Sequence, residues 1–226
     1  MAEKKYHHGD LKNALIEAGL QLISRKGIDD LSIRSVAKKI GVSHTAPYRH
    51  FKNKENLIVA IALTGFRIRQ EKIDRALEKE SDDPWAQLIC LARAEIAFAE
   101  QHPDYFRVMF RDYIKNKKDY PDLFQAFNEG FRQWVGIISE CRKRGYPKKE
   151  IPTSPNKRKK SSLTLSKKEK MFSPEEAEPP DVEITALAMI SLIQGYASLI
   201  IDNRKNPVIG RPLQIDLITR KLWELV

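Results

Sequence analysis

The sequence is most constrained between Leu31 and Leu57, LSIRSVAKKIGVSHTAPYRHFKNKENL. Ser32 can cap a short helix whose apolar face is Ile33, Val36, Ala37 and Ile40. Gly41 breaks it, supplying the backbone freedom that a sharp turn needs. Ser43 can cap a third short helix running to about His50, and Asn53 a much longer one beginning at Lys54. Before them, Leu11, Leu15, Ala18 and Leu22 recur at helical spacing, and Gly27 ends that helix. Three helices of this order and length predict a helix-turn-helix centred on residues 33–50.

The second helix of the pair keeps a polar outer face of His44, Thr45, Tyr48 and Arg49. Such a helix fits a major groove and offers hydrogen-bonding groups to base edges. Tyr48, His50 and Lys54 suit phosphate, and the start of the long helix adds oriented N–H groups. His44, Thr45 and Arg49 could each touch base edges or phosphate alone. Pro47 lies within the first turn or so of its helix, where a missing N–H costs little.

The rest of the chain also reads as helix. Asp83-Pro84 is an acidic cap followed by a first-turn proline. Behind it Trp85, Leu88, Ile89, Ala92, Ile96 and Ala99 line one face up to His102-Pro103. Helices are expected over about 103–113, 121–144, 182–203 and 212–225, so the fold is all-α with about nine helices. Residues 1–53 form the helix-turn-helix domain and residues 54–226 a second helical domain. The stretch 146–182, rich in Pro, Lys, Ser and Glu, reads as a flexible basic insertion.

Charge narrows the partners. The chain carries a formal +10. Residues 1–56 hold eleven Lys/Arg against six Asp/Glu, and residues 142–170 twelve against two, so everything else is net acidic. A basic head on an acidic body suits double-stranded DNA. Two-thirds of the local excess nevertheless sits in the stretch 142–170, so the head is argued from its residues. The run Lys157-Arg158-Lys159-Lys160 reads as a solvated loop, or else as extra non-specific affinity for DNA.

Cys90 and Cys141 are far apart and lack metal spacing, which predicts no disulfide, no zinc and a reducing cytoplasm. His7-His8 are adjacent and poor co-ligands, so no metal is expected. No cofactor motif is present. No GxGxxG, Walker loop, HExxH, GxSxG or Cys-His arrangement supports an enzyme. The uncharged run Ile184–Ile201 is barely long enough to cross a bilayer. Thr185, Ser191, Gln194 and Ser198 punctuate it, and it is expected to be a helix buried in protein rather than a membrane span.

The segment GVSHTAPYRHFKNKENL resembles the TetR family of bacterial repressors. YHHGDLKNALIEAGLQLI and FAEQHPDYFRVMF resemble a subgroup with a WHG-type C-terminal ligand-binding domain. In that subgroup the penultimate helix carries a Trp and a His-Gly pair; here the stretch is MISLIQGYASL, keeping Gly195 with Gln194 in the His position. The resemblance implies DNA contacts from Ser32, Arg34, His44, Thr45, Ala46, Tyr48, Arg49, His50 and Lys54. It implies a homodimer through helices near 182–203 and 212–225, bound to a palindromic operator and released by a small apolar or amphipathic effector. Aromatic and Met side chains at 98, 106, 109, 110, 127, 131 and 134 are either core or cavity wall. Phe106, Met109, Phe131, Trp134 and Gln194 are the expected pocket lining. A constitutive DNA binder whose cavity is filled by side chains, or a helical enzyme, is the rival reading.

Overall fold

The computed structural model describes residues 8–110, 117–146 and 181–202, together with Thr219 and Trp223. Among them there is no strand. Seven α-helices follow in order: α1 (His8–Lys26), α2 (Ile33–Ile40), α3 (Lys54–Leu77), α4 (Pro84–Gln101), α5 (Pro103–Phe110), α6 (Pro121–Lys143) and α7 (Val182–Asp202). The ends obey local chemistry. Ser32 Oγ accepts from Ser35 N, and Ser35 Oγ accepts from Ser32 N, each at 3.0 Å, closing a reciprocal cap on α2. Gly41 ends α2 in the left-handed region at φ 73°. Asn53 Oδ1 caps α3 through Asn56 N at 2.8 Å, and Asp83 caps α4 through Ala86 N at 3.1 Å.

Two expectations need correction. The third short helix is a 3-10 turn, Ala46–Arg49, and Ser43 does not cap it with its side chain. Its hydroxyl pairs instead with that of Thr45 at 3.2 Å. Pro47 has no N–H to give, and the bonds Ala46 N to Ser43 O and Tyr48 N to Thr45 O span three residues rather than four. Among the described residues the α-helices therefore number seven rather than nine. The expected last helix, 212–225, lies outside them apart from Thr219 and Trp223, both helical. Of the basic insertion, residues 147–180 lie outside the described residues, as does His7. Tyr146, placed at the insertion's start, is packed: its ring stacks on Trp85, its hydroxyl donates to Asp83 Oδ1 at 2.5 Å, and its carbonyl accepts from Trp223 Nε1.

α3 is the spine. At 24 residues it is roughly 36 Å long. Its first half, with Leu57, Ile58 and Ile61, packs with Leu15 of α1, Val36 of α2 and Phe51 into one apolar cluster, to which Val108 of α5 also contributes. Its far end delivers Ile73 to a second cluster built on Trp85, Leu88 and Leu91 of α4, Trp134 and Ile138 of α6, and Met189 of α7. One rigid element thus belongs to both cores.

α7 is the helix expected to be buried, and only one face is. Thr185, Ala186, Met189, Ile193, Ala197 and Ile201 are inside, whereas Ile184, Leu187, Leu192 and Leu199 are 49–60% exposed. It is long and apolar enough to cross a membrane by length and composition. Its inner face, however, packs on α4 and α6, as a core helix does.

Candidate nucleic-acid interface and interior cleft

The α2–turn–3-10 unit leaves its apolar side in the first cluster and its polar side outside. Ser32, Arg34, His44, Thr45, Tyr48 and Arg49 are exposed, and Ala46, His50 and Lys54 are half-buried. Tyr48 is 48% exposed, so its ring and hydroxyl are open to a partner. Pro47 is buried beneath it and accepts from both His50 N and Phe51 N at 2.9 Å, fixing the end of the turn. Six of the nine expected contact residues thus form one solvent-facing polar set. Lys54 is engaged, its Nζ donating to Asp29 O at 3.2 Å. His50 Nε2 is buried with no hydrogen-bond partner among the described residues. Lys38, Lys39 and Lys52 are exposed cations of the same unit that sequence reading did not single out, although the local positive charge was visible.

The five expected pocket residues do not share one wall. Phe106 lines a cleft with Phe110, Ser198, Ile201 and Asp202. Phe131 and Gln194 line a second, shallow cleft, open to solvent and with a volume of about 20 Å3, with Phe66, Arg69, Phe110, Phe127, Gly130 and Ile190. Met109 lines neither. It fills the notch left by Gly65, where an added Cβ would come within 2.5 Å of its Sδ. Trp134 is 1% exposed and belongs to the second apolar cluster.

Beneath the second cleft lies what the sequence reading missed. Arg69 on α3 and Glu95 on α4 are only 6% and 7% exposed and form a bidentate ion pair. Trp134 Nε1 donates to the same carboxylate at 3.3 Å. Buried charges persist only when paired and hydrogen-bonded, and three donors on Glu95 meet that condition. Gly130 on α6 makes room for the guanidinium, since a methyl group there would lie 2.7 Å from Nη1. No sequence signal marked Arg69 or Glu95, each of which sits in an ordinary amphipathic helix. Elsewhere burial pushes the Cys141 thiol up to about 12, and the Cys90 thiol up as well, so neither is a reactive thiolate.

An all-helical chain with a capped helix-turn-helix and a separate helical core defines a class of DNA-binding regulators. The family description "Bacterial regulatory proteins, tetR family" matches residues 15–61, and "Tetracyclin repressor-like, C-terminal domain" matches residues 88–215. Together they cover more than half of the chain, and the chain belongs to the TetR family. It is 26% identical over 130 residues to the uncharacterized HTH-type transcriptional regulator YvkB of Bacillus subtilis, covering 54% of this chain and 66% of that protein. It is 36% identical over 72 residues to the tetracycline repressor protein class G of Vibrio anguillarum, covering 32% and 33%. The match thus spans less than two thirds of either relative. In fold it is similar to AibR solved with isovaleryl coenzyme A and operator DNA, at a TM-score of 0.62 and 14% identity over 95% of this chain and 97% of that one.

Proposed function

We propose that this chain is a homodimeric transcriptional regulator, a repressor rather than an enzyme, that binds a palindromic operator and is released by a small molecule. The observation that carries the reading is the solvent-facing set Ser32, Arg34, His44, Thr45, Tyr48 and Arg49 on a capped helix-turn-helix. Residues 1–53 serve as the DNA-binding head and residues 54–226 as the effector-binding and dimerising body, working in the cytoplasm. His44, Thr45 and Arg49 read bases, while Ala46, Tyr48, His50 and Lys54 meet phosphate or sugar, with Ser32 and Arg34 flanking them.

The exposed apolar face of α7 (Ile184, Leu187, Leu192 and Leu199) supports dimerisation through this helix and the segment 212–225. A dimer presents its two recognition segments at a spacing of ~34 Å or a multiple of it. That AibR was solved with both a small molecule and operator DNA supports an effector-controlled reading, in which the effector shifts an equilibrium between two spacings. The effector's differential affinity then sets the loss of DNA binding, about 1–3 kcal/mol of coupling. The continuous α3 links the cleft to the head. Phe131 and Gln194 serve the second cleft and Phe106 the first.

The test is protection of DNA by the purified dimer. A palindromic sequence in the promoter region of its own gene should be protected at nanomolar protein. A dimer that protects no such sequence there, and selects none from random DNA, overturns the reading.

A further inference from the structure

A single helix that joins two cores fixes their separation but not the angle between them about its axis. A second contact near the head sets that angle, and α6 supplies one. It packs along α3 and runs parallel to it, with a polar pair at each end of the shared length. Gln70 Nε2 donates to Gln133 Oε1 at 3.1 Å in the body, and Asn56 Nδ2 donates to the Tyr120 hydroxyl at 3.2 Å beside the head. The two pairs stand about 20 Å apart along each helix. Between them the Gly130 backbone abuts the Arg69 guanidinium. Like α3, α6 belongs to both cores: Trp134 and Ile138 sit in the second apolar cluster, and Leu123 packs on the first.

The Asn56 end of this contact is tied to the recognition segment. Asn56 N donates to Asn53 Oδ1 at 2.8 Å, closing the start of α3. Just upstream, Pro47 O accepts from His50 N and Phe51 N, and Phe51 is buried in the first cluster. From Arg49 to Asn56 the chain thus passes through a closed turn, a buried ring and a cap. That path leaves little slack to absorb a movement of Asn56. Tyr120, the residue that opens α6, is half-buried and acts on this path through the Asn56 amide.

We propose that Tyr120, through Asn56, fixes the angle of the DNA-binding head on the body and with it the half-site spacing that the dimer accepts. Tyr120 is a positioning residue, and its consequence for DNA rests on the operator-binding reading above. The distance between two recognition segments depends on the angle at which each head leaves its body. A major groove faces the protein once per helical turn, so a head free to rock tolerates spacings that a fixed head rejects. The bases read are the same in either case, because His44, Thr45 and Arg49 keep their own turn.

The experiment compares the full-length protein with Tyr120→Phe, which keeps the ring and removes the hydroxyl. Hydrogen exchange without DNA, read by mass spectrometry, should be at least threefold faster over residues 50–57 in the variant. Peptides around Trp85 and Trp134 should exchange at the parent rate. Asn56→Ala should give the same acceleration, and the double variant no more than either alone. An operator selected from random DNA by the parent protein is then lengthened and shortened at its centre by one and two base pairs. The parent should lose at least tenfold in affinity at the altered spacings, and Tyr120→Phe should cut that penalty at least threefold. Penalties for base changes within a half-site should be equal in the two proteins, which a general loosening of the head would not leave untouched. Unchanged exchange over 50–57, acceleration spread evenly through the chain, or equal spacing penalties each overturns the proposal. Local acceleration in a protein that selects no palindrome sinks the regulator reading, while upholding Tyr120 as the residue that holds the head. A palindrome bound with the same spacing preference by both proteins sinks this inference alone.

Discussion

The head and the body of this chain treat their polar groups in opposite ways. In the head, the first apolar cluster is free of charge and the polar side chains stand outside it: Arg34, His44, Thr45, Tyr48 and Arg49 are exposed. In the body a charged pair is sunk beneath a cleft, with Trp134 completing it. Exposed groups keep their hydration and remain available to a polyanion, so changing them should cost binding but little folding. Buried groups satisfy one another across three helices, so changing one should cost folding first.

The largest effect should come from Glu95→Ala, which strands the Arg69 guanidinium in the interior. Losing one partner of a buried pair costs about 3–5 kcal/mol, read as a shift in the urea unfolding midpoint. The double substitution Arg69→Met with Glu95→Leu should recover most of that stability. A single substitution that costs no more than an exposed one would erase the contrast between the two regions. Next in size, Arg49→Ala or Tyr48→Ala should weaken operator binding by about 1–3 kcal/mol while moving unfolding by less than about 0.5 kcal/mol. Gel-shift titrations at several salt concentrations measure the first, and denaturation measures the second. An equal loss in both would mean that these side chains hold the turn together rather than read DNA. Ser32→Ala lies between the regimes, since it removes a reciprocal cap at the head's surface. It should cost about 1 kcal/mol of stability, and operator affinity should fall with it only if the cap orients α2.

The same contrast explains what was legible in the chain. Head chemistry is local: Ser32 and Ser35 are three residues apart, Gly41 follows α2 directly, and Asn53 sits one residue before α3. Helix starts, stops and faces could therefore be read from spacing alone. The 3-10 geometry at Ala46–Arg49 is not legible in this way, because a first-turn proline is compatible with an α-helix as well as with the tighter turn that the chain adopts. In the body the decisive contacts join residues 26 and 39 apart, Arg69 to Glu95 and Trp134 to Glu95. No periodicity marks which of many exposed-looking arginines and glutamates meet inside. The aromatic set was visible, but its division into two clefts, with Met109 in the Gly65 notch, depends on how α3, α5 and α6 cross.

The smallest effect separates the regions by pH. His102 closes α4, its N–H donating to Phe98 O at 2.8 Å, with its ring 5.5 Å from that of Phe98 and 6.4 Å from that of Tyr105. Burial against these rings, and then the charge of Lys72 on the facing α3, hold its pKa below the ordinary 6.5. The unfolded chain therefore takes up the proton first as pH falls. The contribution to stability is full above 6.5 and is lost as pH drops through that value toward the lower folded pKa. Replacing the ring with His102→Asn removes the titration while leaving an acceptable helix end. The variant should lose less stability than the parent between about pH 7 and about pH 5, measured as the difference between their urea midpoints at the two pH values. Parallel loss in both proteins would place the acid sensitivity elsewhere, among the carboxylates. A reduced loss in the variant would locate part of it at the junction of α4 and α5, in the body and away from the DNA-facing surface.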